Sequence, residues 1–342
     1  MIPLPTLYYF LCYAWNRLPE PAVLQASESA PFAKPLALLA QVLLHGTRRM
    51  LRAGLPRTFQ MHEAELASLR GRIELAPSLG RGLLGQGRAV CTYDERGTDS
   101  PLHHLLAHTL ATLAHATEVP ATLRHELRQV RQRLPVAPAA SPPTAATFRE
   151  LRRQRPGGTA QFLAHVCELV WQVALPEPTA DGRRHFTDFR RDEGLMARIF
   201  EQFVRNFYRR EQRHFRVYAE TIAWQATAAP ADLALLPTML TDTTLEASDR
   251  KIILDTKYYA AALRPRYDRQ RLIAPHLYQL YAYLQNQRPA PGQALEGILL
   301  YPANAQSVDL RYTLGGHPVR VVTLNLQQPW PGIAADLLRL VE

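Results

Sequence analysis

The C-terminal half of the chain contains short apolar runs separated by longer amphipathic segments. Ile252, Ile253 and Leu254 form a run rich in β-branched side chains, which is typical of a strand buried on both faces. Residues 297–301 and 319–326 have the same character and predict two further strands. These runs indicate a sheet at the centre of the C-terminal half.

Apolar residues in residues 196–208, 276–284 and 330–340 recur with the period of an amphipathic helix. In the second of these, Leu280, Tyr281 and neighbouring leucines are predicted to form the apolar stripe. The resulting order is helix, strand hairpin, helix, strand, strand. This order predicts an α/β core with a mixed central sheet flanked by helices.

The N-terminal half has a different pattern. Residues 4–18, 35–53 and 101–134 have helical periodicity. Residues 70–93 instead alternate short apolar pieces with Gly and Arg, which is typical of β-hairpins with long tips. We therefore expect an α+β N-terminal domain that contains a hairpin-rich segment.

A Pro/Ala-rich stretch at residues 135–143 interrupts all regular structure and predicts a linker or a long connecting loop. A helix over about 159–173 is expected to open the second domain. The chain has 342 residues, a length that suits two domains. We predict an N-terminal domain in residues 1–150 and a C-terminal domain in residues 151–342.

Candidate chemistry concentrates at the end of the apolar run. Asp255 and Lys257 lie two residues apart on one strand, so their side chains share a face. Asp242 precedes them by a hairpin whose turn-forming residues are 247–250. If the hairpin aligns, two carboxylates and an ammonium converge at one sheet edge. The alternative is a surface hairpin in which these charges form exposed ion pairs.

Two carboxylates suit Mg²⁺, a hard cation that is usually held by one or two carboxylates, water and substrate phosphate. Asp242 and Asp255 are the predicted metal ligands, with the carbonyl of Thr256 as a third. Lys257 would orient or help deprotonate the attacking water. Whether Mn²⁺ can replace Mg²⁺ is left open by the sequence.

Residues around this motif extend the prediction. Gln279 and Tyr283 lie one turn apart on a helix and are expected to contact DNA phosphates, or else to pack on the helix surface. Glu201 and Glu193 are candidates for an additional acidic ligand, with a solvated helix face as the alternative for both.

Several segments together resemble the McrC family, the nuclease subunits of the 5-methylcytosine-specific McrBC restriction system. They include Arg-Gly-Arg-Ile-Glu at 70–74, Leu-Asp-Thr-Lys-Tyr-Tyr at 254–259, Leu-Tyr-Gln-Leu at 277–280 and Leu-Leu-Tyr-Pro at 299–302, together with 2–15 and 235–242. The resemblance implies a C-terminal PD-(D/E)xK restriction-endonuclease-like core with Asp242, Asp255 and Lys257 as its catalytic residues. One departure is Thr241, which stands where the general pattern has Pro.

The composition supports a polyanionic partner. The formal net charge is +10, and arginines cluster just upstream of the proposed site. Arg209 and Arg210, together with Arg183, Arg184 and Arg205 in the same run, are expected to contact DNA phosphates, unless they form an ordinary solvated face. Three cysteines in no metal-ligand spacing suit a reduced cytoplasm, and no apolar stretch is long enough to span a membrane.

The chain has no G-x-x-x-x-G-K-[ST] motif, so nucleotide hydrolysis must come from a partner. Residues 80–85 fit G-x-G-x-x-G, but no strand is expected before them, which argues against a dinucleotide site. The resemblance implies an McrB-like AAA+ GTPase hexamer as partner in a hetero-oligomer, which would use GTP and bring methylated double-stranded DNA. Arg70, Arg72, Arg81 and Arg88 are candidates for contacting that partner.

Two other functions remain compatible with the sequence. The chain would be a regulatory scaffold if it activated the GTPase without cutting DNA itself. It would be a stand-alone nuclease if it cut DNA without partner or GTP.

Overall fold

A computed structural model describes residues 2–27, 34–97, 100–136, 142–154, 156–174, 186–259, 262–266, 269–303 and 307–342. None of the helices in these ranges is long and apolar enough to cross a membrane. Cys12, Cys91 and Cys167 are all buried, and none of them forms a disulfide.

Helices and strands are numbered in chain order. The helices are α1 (Leu4–Ala14), α2 (Pro21–Ser27), α3 (Pro35–Ala53), α4 (Leu75–Gly80), α5 (Pro101–Ala114), α6 (Ala121–Gln132), α7 (Ala145–Gln154), α8 (Gly158–Val173), α9 (Glu193–Glu211), α10 (Pro230–Leu233), α11 (Ala274–Asn286) and α12 (Trp330–Arg339). The strands are β1 (Thr58–Leu66), β2 (Arg72–Ile73), β3 (Ala89–Gly97), β4 (Arg216–Tyr218), β5 (Thr221–Ile222), β6 (Met239–Leu240), β7 (Thr243–Glu246), β8 (Arg250–Thr256), β9 (Leu263–Arg266), β10 (Arg269–Leu272), β11 (Ala294–Pro302), β12 (Asp309–Leu314) and β13 (His317–Leu324).

The chain divides into two compact units, the sheet unit (residues 1–38 and 187–342) and the ribbon unit (residues 39–186). This division differs from the boundary near residue 150 that the sequence predicted. Helix α1 packs on α9 and α12 within the sheet unit, whereas α7 and α8 pack on α5 within the ribbon unit. Each helix belongs to the unit against which its apolar face packs, and the residues of that unit need not be close to the helix in sequence.

The sheet unit is built on a six-stranded mixed sheet with the strand order β12-β13-β11-β8-β7-β4. Strand β11 runs parallel to both β8 and β13, while β7 and β12 are antiparallel to their neighbours. Helices cover the sheet, and β8 lies near its centre. This arrangement confirms the predicted mixed α/β architecture with a central sheet flanked by helices.

Helix α11 packs against β8 and β11 and forms the core on one side of the sheet. Its buried residues include Leu280 and Leu284, which contact the core around Ile253 and Leu299. A Cβ atom on Gly297 would lie 3.0 Å from both leucines, so the glycine allows the helix to approach β11 closely. The close approach fixes the position of α11 over the end of β8.

The helices α1, α9 and α12 form an aromatic core elsewhere in the sheet unit. Phe10 stacks on Phe203 with ring centroids 4.1 Å apart, and Tyr9 stacks on Trp330 at 4.2 Å. Phe200 and Phe207 are fully buried in the same region. These rings anchor α9, which also packs on β7 and β8.

In the ribbon unit, β1 pairs with β3 over the full length of both strands, and the two-residue strand β2 pairs with Cys91 and Thr92 of β3. Residues 70–93 therefore contain one antiparallel strand pair, but the main partner of β3 is residues 58–66, and the segment between β2 and β3 contains α4. Part of the predicted linker, residues 137–141, lies outside the described residues.

Candidate functional site

The end of strand β8 brings Asp242 beside Asp255. Strand β7 pairs with β8 so that Thr243 lies opposite Leu254, and the next pair in this register is Asp242 and Asp255. One carboxylate oxygen of Asp242 accepts hydrogen bonds from the backbone N–H and the hydroxyl of Thr256, at 2.8 and 2.6 Å. These two bonds hold the Asp242 carboxylate at the sheet edge.

Asp255 is fully buried, and its neighbour Lys257 reaches back to it. The Nζ atom of Lys257 lies 2.6 Å from Oδ2 of Asp255. Lys257 thus forms an ion pair with Oδ2, whereas Oδ1 has no hydrogen-bond partner within the described ranges. Buried carboxylates of this kind are costly unless another group binds them.

A chain of hydrogen bonds positions Lys257. Its Nζ donates to Oε1 of Gln279 at 2.9 Å, and Nε2 of Gln279 donates to the Tyr283 hydroxyl at 2.7 Å. The hydroxyl in turn donates to the Leu240 carbonyl at 2.8 Å. The structure thus brings Gln279 and Tyr283 to the site through Lys257, and the predicted DNA contacts of both residues remain a prediction.

The burial of Tyr283 also changes the predicted apolar face of α11. Tyr283 is 5% exposed, whereas Tyr281, which the sequence placed on the apolar stripe, is 42% exposed. The difference arises because the Tyr283 hydroxyl finds a backbone partner inside the unit, so its ring can be buried without leaving a polar atom unsatisfied.

The electrostatics of the site reflect the shared burial of several carboxylates. Burial, with a further contribution from the nearby Asp242, raises the pKa of Asp255 to about 7 against the opposing effect of Lys257. Burial also raises the pKa of Glu201, and Asp242 adds to this effect. Three acidic side chains therefore lie close enough to influence one another.

Glu201 is brought to the site by α9, together with Arg205 one turn later. Nη1 of Arg205 donates to Oε1 of Glu201 at 3.0 Å and to the backbone carbonyl of Asp242 at 2.6 Å. Arg205, which the sequence assigned to phosphate contacts, thus supports the loop that carries Asp242. Glu193 lies at the start of α9, and its negative charge contributes to the raised pKa of Tyr258.

The donor set suits a hard divalent cation. Asp255 offers Oδ1, which has no hydrogen-bond partner within the described ranges, and Asp242 is held beside it. Among the residues that the structure describes, no three His, Cys, Asp or Glu side chains form a complete metal cluster. A cation here would therefore need further ligands from backbone carbonyls, water or a substrate phosphate.

The other predicted contact residues are exposed. Arg209 donates to the Val217 carbonyl at 3.1 Å, and Arg210 donates to the Arg17 carbonyl at 3.4 Å. Both side chains are exposed on the last turn of α9. Arg183 and Arg184 of the same run lie outside the described residues.

In the ribbon unit, all four candidate arginines are exposed. Arg70 lies over the ring of Tyr93 at 4.6 Å, Arg72 is near Glu74 at 3.6 Å, and Arg88 is near Glu65 at 3.3 Å. Arg81 follows the short helix α4.

The glycine-rich residues 80–85 begin at the end of α4 instead of following a strand, so the G-x-G-x-x-G pattern lacks the context of a dinucleotide site.

Lys251, at the start of β8, was not predicted from the sequence to be a site residue, and it is only 5% exposed. Its Nζ contacts Oε1 of Glu220 at 2.9 Å and Oε1 of Gln287 at 3.0 Å. The signal was present in the sequence, since Lys251 has the same strand parity as Asp255 and therefore shares its face.

The chain is similar to known restriction-system proteins in both sequence and structure. Residues 6–302 match the model of the family described as McrBC 5-methylcytosine restriction system component. The chain is 30% identical over 344 residues to the type IV methyl-directed restriction enzyme EcoKMcrBC of Escherichia coli (strain K12), covering 100% of this chain and 98% of that protein.

A structural similarity extends over nearly the whole chain. It is to a refined half-complex from a tetradecameric assembly of Thermococcus gammatolerans McrB AAA+ hexamers with bound McrC, with a TM-score of 0.54 and 13% identity. The match covers 99% of this chain and 76% of the other. At this identity the match shows a shared fold.

Proposed function

The chain belongs to the family of McrBC 5-methylcytosine restriction system components, and on that premise we propose that it is the DNA-cleaving subunit of a modification-dependent restriction complex. Its sheet unit would be a metal-dependent endonuclease of the PD-(D/E)xK type, with Asp242, Asp255 and Lys257 as the catalytic residues. The observation that carries the proposal is the ion pair between the buried Asp255 and Lys257, next to Asp242.

Asp242 and Asp255 would hold Mg²⁺, with the Thr256 carbonyl as a further ligand and Glu201 beside them. The Asp255 carboxylate fits this role, because it is fully buried, its only ion pair among the described residues is with Lys257, and a cation would stabilise its charge. When bound, the ion would lower the pKa of a water molecule and neutralise charge on the scissile phosphate.

The protein's own residues would position the reaction. Lys257 would donate hydrogen bonds to the attacking water and the phosphate, and Gln279 fixes the direction of its ammonium group. Tyr283 in turn fixes Gln279, and Arg205 holds the backbone of Asp242. The exposed arginines Arg209 and Arg210 would contact the DNA backbone without reading its sequence.

The ribbon unit would bind an McrB-like AAA+ GTPase hexamer and stimulate its GTP hydrolysis. It exposes Leu75 and Leu79 on α4 beside the arginines described above, a surface of the kind found at protein interfaces. Arg70, Arg72, Arg81 and Arg88 would contribute to this contact. GTP would then act only through the partner, which would bring methylated double-stranded DNA to the sheet unit.

The test is cleavage of methylated DNA by a complex reconstituted with the GTPase partner, GTP and Mg²⁺. Asp255→Ala and Lys257→Ala should each abolish cleavage while complex assembly and GTPase stimulation persist. The matched control is Asp249→Ala, because Asp249 lies in the turn of the same hairpin with its side chain 72% exposed.

Retained cleavage in the Asp255→Ala complex would overturn the catalytic assignment. If the wild-type complex stimulated GTP hydrolysis but never cut DNA, the regulatory scaffold would be the correct function. Cleavage by the purified chain without partner or GTP would show a stand-alone nuclease.

A further inference from the structure

A cavity of about 440 Å³ lies in the sheet unit, and none of its lining residues belongs to the proposed active site. One wall is the segment from Glu220 to Gln225, and the other is the end of α11 from Asn286 to Arg288, with Lys251 contributing between them. The volume is within the range of small-ligand sites. No residue of this cavity has a role in the function proposed above.

Hydrogen bonds and ion pairs fix the polar groups around Lys251. Its buried ammonium lies between the carboxylate of Glu220 and the amide oxygen of Gln287, and Glu246 is 3.8 Å away. One ammonium with two carboxylates gives a rigid polar surface whose formal charges sum to −1. Such a surface suits hydrogen bonds to a neutral group better than capture of an anion.

Trp224 provides a flat apolar surface in the same cavity. Its indole N–H donates to the Pro237 carbonyl at 2.6 Å, which fixes the ring, and 38% of the residue is exposed. The next residue is also fixed, because the backbone N–H of Gln225 donates to Oδ1 of Asn286 at 2.7 Å. An immobilised and partly exposed indole is a surface on which a nucleobase can stack.

The C-terminal end of α11 and Arg288 determine where a ligand phosphate could lie. Helix α11 ends at Asn286 with its carbonyls towards this region, and the negative end of a helix disfavours a phosphate inside the cavity. Arg288 is exposed and has no hydrogen bond or ion pair with the described part of the chain. A ligand with a neutral planar part and a nearby phosphate satisfies both conditions.

The cavity is close enough to the proposed active site to receive the same DNA strand. Lys251 and Asp255 share one face of β8 and are four residues apart, which corresponds to about 13 Å along a strand. A few nucleotides cover this distance. The base would therefore come from the strand that is held for cleavage.

We propose that this cavity binds one unpaired nucleotide of the DNA strand, with its base stacked on Trp224 and its phosphate at Arg288. The proposal rests on the DNA-cleaving function proposed above. It assigns to the sheet unit a preference for DNA in which at least one base near the cleavage position is unpaired.

The experiment compares binding of a fully paired duplex with binding of the same duplex carrying three unpaired nucleotides in its centre. Fluorescence anisotropy is measured with the full chain in EDTA, so that cleavage plays no part. The wild type should prefer the DNA with unpaired nucleotides, and Trp224→Ala should reduce that preference by about tenfold. Trp224→Phe, which keeps an aromatic ring, should retain most of it.

The matched control is Trp171→Ala, because Trp171 is also 38% exposed but belongs to the ribbon unit. Arg288→Gln should weaken binding and reduce the salt dependence of the dissociation constant by roughly one phosphate contact. Thermal unfolding of each variant is measured, so that a folding defect is recognised.

Three outcomes are distinguishable. Loss of the preference in Trp224→Ala alone supports the proposal. A folded Trp224→Ala variant with unchanged preference, or a wild type that binds both DNAs equally, overturns the proposal and leaves the cleavage function intact. A wild type that binds neither DNA also overturns the nucleotide site, whereas the cleavage function is tested separately by the reconstituted complex with Asp255→Ala.

Discussion

Lys257 is held between Asp255 and Gln279, with its Nζ atom 2.6 Å from the Asp255 carboxylate and 2.9 Å from the Gln279 amide oxygen. The lysine thus bridges a strand and the helix that covers it. A cation bound by Asp255 would compete with the lysine for the carboxylate, whereas the bond to Gln279 would remain. This arrangement makes Gln279 a positioning residue for Lys257.

Gln279→Ala should therefore lower the rate of DNA cleavage without preventing assembly or GTPase stimulation. Loss of its bond frees the ammonium group, and a misplaced catalytic group costs up to about 10²-fold in rate. The measurement is single-turnover cleavage by the reconstituted complex. Gln285→Ala is the control, because Gln285 is on the same helix but bonds to the Gly315 carbonyl. Equal rates for wild type and Gln279→Ala would exclude the positioning role.

Asp255→Asn should stabilise the metal-free protein at high pH. The pKa of Asp255 rises from 3.8 to about 7 in the folded protein, so the folded state binds this proton more tightly than the unfolded chain does. The free energy of unfolding of the wild type consequently decreases as pH rises from 3.8 to about 7. Above about pH 7 the stabilisation from this proton is lost completely.

Because asparagine does not ionise, the Tm of Asp255→Asn should exceed that of the wild type by more at pH 8 than at pH 5. Thermal unfolding in EDTA at the two pH values measures this difference. A difference that stays constant or shrinks towards pH 8 would mean that the buried carboxylate is not destabilising when ionised.

Glu201→Gln should weaken Mg²⁺ binding, because Glu201 adds negative charge beside Asp242. We expect about a tenfold higher Mg²⁺ concentration for half-maximal stabilisation, a typical effect of losing a group that supports a metal site. Thermal unfolding at increasing Mg²⁺ concentration provides a readout independent of cleavage. Glu193→Gln, at the start of the same helix, should behave like the wild type; a similar effect of both substitutions would argue against a specific role of Glu201.

Gly71→Ala should destabilise the ribbon unit strongly. Gly71 has a φ of +71°, and a Cβ atom there would lie 2.4 Å from the Thr92 carbonyl oxygen. Backbone strain alone costs roughly 1–2 kcal/mol, and the clash with β3 adds to it. Gly82→Ala is the matched control, because Gly82 has a φ of +63° with nothing within 4 Å of the added Cβ.

Thermal unfolding should show a clearly lower Tm for Gly71→Ala than for Gly82→Ala. Equal values would show that the segment around Gly71 moves away from β3 without cost. The comparison also tests whether the turn that presents Arg70 and Arg72 depends on close packing against β3.

The sequence determined much of the sheet unit, because the signals there are local and strong. The run from Ile252 to Leu254 predicted β8. Asp255 and Lys257 follow this run two residues apart, which predicted a carboxylate and an ammonium on one face. Helix α11 was predicted from its period, and β11 and β13 from their apolar runs. Strand β12 was not predicted, although its residues alternate between polar and apolar, which is the pattern of a half-buried strand.

Only the tertiary structure decided which residues surround these local elements. Sequence spacing cannot show that Arg205 holds the Asp242 carbonyl, that Gln279 bonds to Lys257, or that Lys251 is buried against Glu220. It also cannot show that α1 packs in the sheet unit while α8 packs in the ribbon unit. Strand and helix formation depends on neighbours within a few residues, whereas burial and charge pairing depend on surfaces that meet only after the chain has folded.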